Sequence, residues 1–213
     1  MRALDPDRYD VVSIGIRRDG TWVPGETDPE ALDMSRGLTE VGPSDRRIVI
    51  PPGDGSQSLL EVGGGQVREL GAVDVVFPVL HGPFGEDGTI QGLLEMAGLP
   101  YVGPGVLASA CGMDKEYTKT LVRAAGVAVA EQVVLGRGES LDEAQRGMLG
   151  LPVFVKPASG GSSIGVSKVE NWEAFEEALA LAFESDTKVL VESELVGDEV
   201  EVGVIEHPGG RIE

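Results

Sequence analysis

The sequence predicts an α/β protein that begins with an open parallel sheet. Residues 73–80 (VDVVFPVL) are nearly all apolar, as in a parallel strand that is covered on both faces. A helix is predicted from about Thr89, because apolar residues recur at positions 90, 93, 94 and 97 before Gly98. Residues 99–103 (LPYVG) form the next predicted strand. This order is typical of a βαβ unit, in which ligands collect at the carboxyl ends of the strands.

The composition is that of a globular protein with a strongly acidic balance. The 213 residues are 41% hydrophobic and 25% charged, which suits one or two domains with proper cores. Seventeen basic against 36 acidic residues give a net charge of −19, which argues against a nucleic-acid or anionic-membrane partner. The single cysteine, Cys111, excludes an intrachain disulfide and fits a reducing compartment. With no long apolar run and no signal-peptide pattern, we expect a cytoplasmic protein.

Both ends of the sequence resemble interrupted elements. Residues 1–6 read as the tail of a helix that runs into a strand at residues 9–16. Alternating apolar residues predict a half-buried strand over residues 199–205. His207 then lies in a turn, and the sequence stops three residues into the expected return strand. We therefore expect a segment of a longer protein, with His207 as a turn residue.

Residues 17–72 carry little periodic signal. Residues 22–23 and 47–50 are short strand candidates, and turn-rich pieces such as residues 51–55 (PPGDG) separate the candidates from their neighbours. We expect this region to be surface elaboration of the first domain.

A Gly/Ser loop follows a lysine at the end of an apolar strand. Residues 151–155 (LPVFV) and 164–169 (IGVSKV) are predicted strands, and the loop after Lys156 reads PASGGSS. Glycines let backbone N–H groups approach a ligand closely, serines add donors, and the lysine adds a positive charge. A polyphosphate requires these groups, although the order is neither that of a P-loop nor that of a kinase loop. The alternative is a plain hairpin beside a chance lysine.

A pair of lysines opens a helix. Asp114 is a plausible N-cap, and Lys115 and Lys119 share one face near the helix N-terminus. Positive charge there is unfavourable to the helix unless an anion is bound. A solvated basic face is the alternative. The predicted apolar stripe of this helix consists of Tyr117, Leu121, Val122 and Ala125.

His81 stands at the carboxyl end of the strand at residues 73–80. Three glycines at every third position from Gly82 to Gly88 predict a tightly folded loop. Glu86 and Asp87 suit the positive N-terminus of the helix that follows, so both already have a structural explanation. His81 itself could simply hydrogen-bond the loop.

The last predicted pair of elements is a helix and a strand. Asn171 caps an amphipathic helix over residues 171–183, whose apolar side belongs to the core. The strand at residues 188–192 ends in Glu192, and Glu199 follows in the next loop. Without further information, both glutamates would be surface acids.

Four motifs occur in one order along the sequence. They are HGPFGEDGTIQG at residues 81–92, MDK at 113–115, VKP with GSSIGV between 155 and 166, and VE at 191–192 with Glu199. Together they closely resemble the D-alanine–D-alanine ligase family of the ATP-grasp superfamily of carboxylate–amine ligases. The resemblance is dense over about residues 70–205.

The resemblance implies an ATP-grasp fold in three parts. Residues 1–104 would form an incomplete Rossmann-like N-terminal domain, residues 105–191 the α+β lid domain of the ATP site, and residues 192–213 the start of the catalytic C-terminal domain. The implied reaction joins two D-alanine molecules through an acyl phosphate for peptidoglycan synthesis, with ATP and Mg²⁺ and commonly in a homodimer. Alternatives are a D-alanine–D-lactate or D-serine ligase, or a non-catalytic nucleotide-binding protein if the ends are native.

Site residues follow from the same resemblance. Lys115 and Lys156 would hold the ATP phosphates, and Ser162 would join the catalytic hydrogen-bond network. His81 would lie beside the first substrate. The other implied ATP contacts are Phe154 at the adenine, Gly161 and Ser163 in the closing loop, Glu192, Ser193 and Leu195 at the adenine edge, and Glu199 at the ribose.

The sequence also departs from the family pattern. It shows no N-terminal Gly-rich loop with a substrate-binding glutamate, and the metal ligands, an arginine and the substrate-selecting loop would lie beyond residue 213. Ser159 stands where relatives often carry arginine, and Ser193 stands where some relatives carry a lysine. We therefore assign no metal ligand and expect the segment alone to be inactive.

Overall fold

The computed structural model describes residues 4–25, 40–51, 57–161 and 163–213. The chain divides into two compact units, Met1–Ser109 and Ala110–Glu213. The three sheets of the described part are antiparallel and are accompanied by short helices. None of the helices in these ranges is long and apolar enough to cross a membrane.

Unit 1 contains two small antiparallel sheets. In the first, β1 (Ile14–Ile16) pairs with β2 (Trp22–Pro24). In the second, the strand order is β3 (Arg46–Val49), β4 (Ser58–Gly63) and β5 (Gln66–Ala72). The strand expected at residues 9–16 is therefore formed only over its last three residues. The short strand candidates at residues 22–23 and 47–50 are both confirmed.

The β4–β5 hairpin lies in the region expected to be surface elaboration, and that expectation is wrong for it. Gly64 and Gly65 join the two strands at φ 57° and 76°, a conformation that favours glycine. Leu59 on β4 is 3% exposed and belongs to the core of the unit. A Gly-Gly pair between two strands is a hairpin signal, so the sequence did carry the information.

The parallel sheet predicted for unit 1 is reduced, in the described ranges, to one bridge between Val76 and Tyr101. Val76 N–H donates to the Pro100 carbonyl at 2.8 Å, and Val102 N–H donates to the Val76 carbonyl at 2.9 Å. Phe77 and Val79 are 70% and 73% exposed. The apolar run is thus packed on one face only, and the prediction of a strand covered on both faces is corrected.

Helix α1 (Thr89–Met96) begins where the sequence predicts it. Ile90, Leu94 and the following Ala97 are buried in the core of the unit. Gly98, at φ 68°, ends the helix as expected. Helix α2 (Val106–Met113) follows and contains the boundary between the two units.

Unit 2 is built on a four-stranded antiparallel sheet in the order β6-β9-β7-β8. The strands are β6 (Gln132–Gly136), β7 (Val153–Pro157), β8 (Ser167–Val169) and β9 (Lys188–Ser193). The helices are α3 (Lys115–Ala124), α4 (Glu143–Leu149) and α5 (Phe175–Ser185), the last preceded by a 3₁₀ turn at Trp172–Ala174. β6 and α4 are not among the elements predicted from the sequence.

The two faces of this sheet differ sharply. Val153 and Val155 on β7, with Val189 and Val191 on β9, are fully buried in a core that includes Phe175 of α5. The alternate residues lie on the opposite face, where charged side chains stand beside Phe154 and the buried Leu190. On that face Phe154 pairs with Glu192, and Lys156 pairs with Leu190. The register therefore makes Lys156 and Glu192 diagonal neighbours on one face, within reach of a long side chain.

The strand predicted over residues 199–205 is not formed. Val200, Val202 and Val204 are 67–80% exposed, and only a bridge between Glu206 and Ile212 follows. Ile205 exchanges backbone hydrogen bonds with Glu213 at 2.8 and 2.9 Å, but residues 199–204 pair with no described strand, and an unpaired strand is not stable alone. His207 lies in a turn, as expected, with Nε2 3.2 Å from Glu213 Oε2.

Candidate functional site

The polar face of the sheet in unit 2 carries three lysines close to one buried carboxylate, which we call the lysine cluster (Lys115, Lys119, Lys156 and Glu192). Lys119 Nζ lies 2.7 Å from Glu192 Oε1, and Lys156 Nζ contacts Glu192 Oε2. Glu192 is only 7% exposed, so its charge is shielded from water and compensated mainly by these two lysines.

Helix α3 brings two of these lysines to the sheet. The Asp114 carboxylate caps the helix by accepting from the N–H groups of Glu116 at 2.9 Å and Tyr117 at 3.3 Å, as predicted. Tyr117 and Leu121, predicted to be buried, are instead 57% and 54% exposed. The reason is that the sheet offers α3 a polar face, which the lysine side of the helix complements.

Lys115 has a different environment from the other two lysines. Its Nζ donates to the carbonyls of Gly160 at 2.8 Å and Ala158 at 3.4 Å, and it forms no ion pair with a described carboxylate. Burial lowers the pKa of Lys115, the nearby Lys156 charge lowers it further, and the charge of Glu192 only partly offsets both. An ammonium group held in this way is suited to receive an anion.

Lys188 fixes the first turn of α3 onto β9. Its Nζ lies 2.5 Å from Asp114 Oδ2 and 2.7 Å from Glu116 Oε2, and 4.8 Å from the centre of the Tyr117 ring. Partial burial lowers the pKa of Lys188, but the hydrogen bonds to the two carboxylates outweigh it and raise the pKa. Lys188 lies in none of the four sequence motifs and was not predicted as a site residue, although its even spacing from Glu192 places both on one face of β9.

The loop after β7 is anchored at its base. Ser159 N–H donates to Asp186 Oδ2 at 2.7 Å, and Lys115 N–H donates to the Ala158 carbonyl at 2.9 Å. Beyond this base, Gly161 and Ser163 are exposed, and Ser163 adopts φ 56°. Ser162, the predicted catalytic serine, lies outside the described residues.

An aromatic ring flanks the lysine cluster. Phe154 is half-buried on the same face of β7 as Lys156, and Lys168 Nζ lies 5.9 Å from the centre of its ring. The polar face therefore combines cations with an apolar wall.

Three other predicted nucleotide contacts are not in the cluster. The Ser193 hydroxyl donates to the Leu149 carbonyl at 2.8 Å, so this side chain points to the face opposite Glu192. Leu195 is 72% exposed, and Glu199 is exposed. Among the hydrogen bonds and ion pairs of the described residues, none joins these three side chains to the lysine cluster.

His81 belongs to unit 1, where its loop is held by two carboxylates. Gly82 N–H donates to Glu86 Oε2 at 2.6 Å, and Asp87 accepts from the N–H groups of Phe84 at 2.8 Å and Thr89 at 2.9 Å. Burial raises the pKa of Asp87, but the hydrogen bonds from Phe84 and Thr89 outweigh it and the pKa is lowered. The His81 ring is exposed and makes no hydrogen bond to a described residue.

Across residues 4–25, 40–51, 57–161 and 163–213, no group of three or more His, Cys, Asp or Glu side chains could hold a metal ion. The polar groups brought together in unit 2 are suited to bind an anion.

Two family models match the chain. The model described as the D-ala D-ala ligase N-terminus matches residues 1–104, and that of the D-ala D-ala ligase C-terminus matches residues 121–212. The D-alanine–D-alanine ligase of Mycolicibacterium smegmatis is 56% identical over 218 residues, covering 100% of this chain and 58% of that protein. The enzyme of that name from Rhodococcus erythropolis is 55% identical, covering 98% of this chain and 58% of that protein.

Solved structures of ligases also resemble this chain. The VanG D-Ala:D-Ser ligase of Enterococcus faecalis superposes with a TM-score of 0.75 at 34% identity, covering 92% of this chain and 56% of that one. The D-alanine–D-alanine ligase of Coxiella burnetii gives 0.73 at 31% identity, covering 92% and 57%.

The fold and these neighbours define the class of protein as an ATP-grasp ligase, as the sequence predicts. More particularly, the chain belongs to the D-alanine–D-alanine ligase family. It spans 58% of the length of these two curated relatives, in agreement with the expectation of a segment of a longer protein.

Proposed function

We propose that the protein carrying this sequence joins two D-alanine molecules in an ATP-dependent reaction that supplies peptidoglycan synthesis. The observation that carries the proposal is the lysine cluster, in which three ammonium groups gather near one carboxylate in a chain of net charge −19. Such a local excess of positive charge is expected at a polyphosphate site.

The residues present fit an ATP molecule. Lys115 has no carboxylate partner among the described residues, so its charge is available to phosphate oxygens. Lys156 shares Glu192 with Lys119 and is therefore only partly neutralised. Phe154 offers an apolar surface to a base on the same face of β7. Mg²⁺, when bound with the nucleotide, supplies further neutralisation of phosphate charge, and we assign none of its ligands to this segment.

The proposed reaction has two steps. The carboxylate of one D-alanine takes the terminal phosphoryl group of ATP, and the amine of the second D-alanine then displaces orthophosphate to form the peptide bond. Phosphoryl transfer is catalysed mainly by positioning and charge neutralisation, and Lys115 and Lys156 contribute both. The loop with Gly161, Ser162 and Ser163 closes over the phosphates and keeps water from the acyl phosphate.

The remaining assignments rest on the family resemblance. Glu192 and the backbone of Ser193 and Leu195 meet the adenine edge, Glu199 binds the ribose, and His81 lies beside the first D-alanine. We also propose a homodimer in the cytoplasm, with no nucleic-acid or membrane partner, in line with one cysteine and a net charge of −19.

A second candidate is a ligase that joins D-alanine to D-serine. The observation in its favour is the TM-score of 0.75 with the VanG D-Ala:D-Ser ligase at 34% identity. The 55–56% identity with relatives named D-alanine–D-alanine ligase favours D-alanine as the second substrate. The further alternative implied by the resemblance, a ligase that joins D-alanine to D-lactate, is decided by the same test.

The test uses the complete protein with ATP, Mg²⁺ and D-alanine, measuring phosphate release and the mass of the product. We expect D-alanyl-D-alanine, with D-serine and D-lactate as poorer second substrates. Preferential formation of the mixed product would establish the second candidate. Nucleotide binding without phosphate release dependent on D-alanine would instead indicate a non-catalytic nucleotide-binding protein.

A further inference from the structure

Two charged atoms of the lysine cluster are buried without a well-formed hydrogen bond. Lys119 Nζ and Glu192 Oε1 lie 2.7 Å apart, yet neither makes a hydrogen bond of good geometry to a described residue, and both are hidden from solvent. The Lys119 side chain as a whole is 16% exposed. A buried ammonium group is costly unless it compensates another charge, so its partner must be Glu192.

Few other lysines of the chain can compensate the charge of Glu192 in place of Lys119. Lys115 is bound to the Gly160 and Ala158 carbonyls, and Lys188 is paired with Asp114 and Glu116. Lys168 is paired with Glu194. Among the five lysines of the chain, only Lys119 and Lys156 contact Glu192.

Glu192 divides its two oxygens between these lysines, with Lys156 at Oε2 and Lys119 at Oε1. When Lys156 turns to the phosphates of a nucleotide, Glu192 loses one of its two compensating charges. A carboxylate that is buried and left without a cation is strongly unfavourable. A second lysine that stays in place removes this penalty.

We propose that Lys119 is a positioning residue for nucleotide binding: it holds Glu192 in place and ionised, so that Lys156 is free to bind the phosphates of a nucleoside triphosphate. The inference rests on the proposed function of Lys156. It assigns to Lys119 an effect transmitted through Glu192, without direct contact with the nucleotide.

The first experiment compares Lys119→Met with Arg123→Met in the complete protein. Arg123 lies one turn further along α3, in a more exposed ion pair with Glu131, and serves as the matched control. We expect Lys119→Met to raise the KM for ATP by about tenfold or more, with kcat nearly unchanged. Lys156 then stays paired with Glu192, so its charge-assisted contact with the phosphates is lost. Lys119→Arg should restore most of the loss, and Arg123→Met should have no effect. Equal, negligible effects of both methionine variants would overturn the proposal.

The second experiment repeats Lys119→Met in a Glu192→Gln background. Calorimetry measures binding of ATP and of tripolyphosphate, which has no base and so reports the phosphate contacts alone. Because glutamine carries no charge to compensate, we expect Lys119→Met to change affinity there by less than about twofold, near the usual limit of additivity. An equal loss in both backgrounds would mean that Lys119 binds phosphate directly, and the proposal would be wrong.

The same variants distinguish the positioning role of Lys119 from a purely structural role. If Lys119→Met lowered the melting temperature and kcat together, with no rescue by arginine, Lys119 would be a folding residue and the inference would fail. A wild-type protein that binds ATP but releases no phosphate with D-alanine would defeat the proposed reaction alone, since the binding cycle still decides the role of Lys119.

Discussion

At the scale of single residues, three lysines of unit 2 have different surroundings, and these decide how available each charge is to a ligand. Lys115 donates to backbone carbonyls, Lys156 contacts a buried carboxylate, and Lys168 pairs with Glu194 at 42% side-chain exposure. An exposed ion pair of the last kind contributes little. The first two lysines are partly withdrawn from water, where a charge acts more strongly on a ligand.

We predict that Lys115→Ala and Lys156→Ala in the complete protein each raise the KM for ATP by about 10- to 150-fold. Each substitution removes a charge-assisted contact, typically worth about 1.5–3 kcal/mol. Steady-state kinetics with varied ATP measure the effect, and Arg123→Ala on the same helix is the control. Wild-type KM values in both variants would show that the nucleotide binds elsewhere.

At the scale of elements, α3 is oriented by charge. Its apolar stripe predicts which residues share a face, but not which face meets the sheet. Tyr117 and Leu121 remain more than half exposed, while Lys119 reaches Glu192 and Lys188 reaches Asp114 from β9. The sheet presents the Glu192 carboxylate on this side, so the complementary surface of the helix is its lysine side. This outcome depends on strand register, which the helix sequence does not contain.

The loop before α1 is the second element with a clear electrostatic anchor. Asp87 accepts from the N–H groups of Phe84 and Thr89, and the latter is the first residue of α1. We predict that Asp87→Ala lowers the free energy of unfolding by about 1 kcal/mol, as for the loss of a helix cap. Urea denaturation measures it. Asp74→Ala, an exposed acid of the same unit, should stay within about 0.5 kcal/mol of the wild type.

The stabilisation by Asp87 should also depend on pH. Its pKa is lowered from 3.8 in the folded protein, because the hydrogen bonds outweigh the effect of burial. The contribution is therefore fully present above pH 3.8 and is lost as the pH falls through the lowered pKa. The difference in stability between wild type and Asp87→Ala should shrink in that acidic window. A difference that persists there would indicate that the shape of Asp87, not its charge, holds the loop.

At the scale of the whole molecule, the sequence predicts best where the signals are local. The caps at Asp114 and Asn171 placed α3 and the turn before α5 correctly, and the apolar run before Lys156 placed β7. The parallel pairing of unit 1 is reduced to one bridge, and no strand forms over residues 199–205, because a strand forms only where a partner is available. The site follows the same rule. Lys115, Lys156 and Glu192 lie in motifs, whereas the contact of Lys188 with α3 depends on how distant elements meet.

The activity of the 213-residue segment alone can be measured separately from that of the complete protein. The curated relatives named D-alanine–D-alanine ligase are longer, and this chain spans 58% of two of them. A reaction that depends on positioning two substrates and neutralising phosphate charge requires the complete set of contacts. We therefore predict that the 213-residue segment alone shows no phosphate release from ATP that depends on D-alanine, whereas the complete protein does. A colorimetric phosphate assay with and without D-alanine measures both. Release by the segment that increases with D-alanine would show that these residues already contain the catalytic machinery.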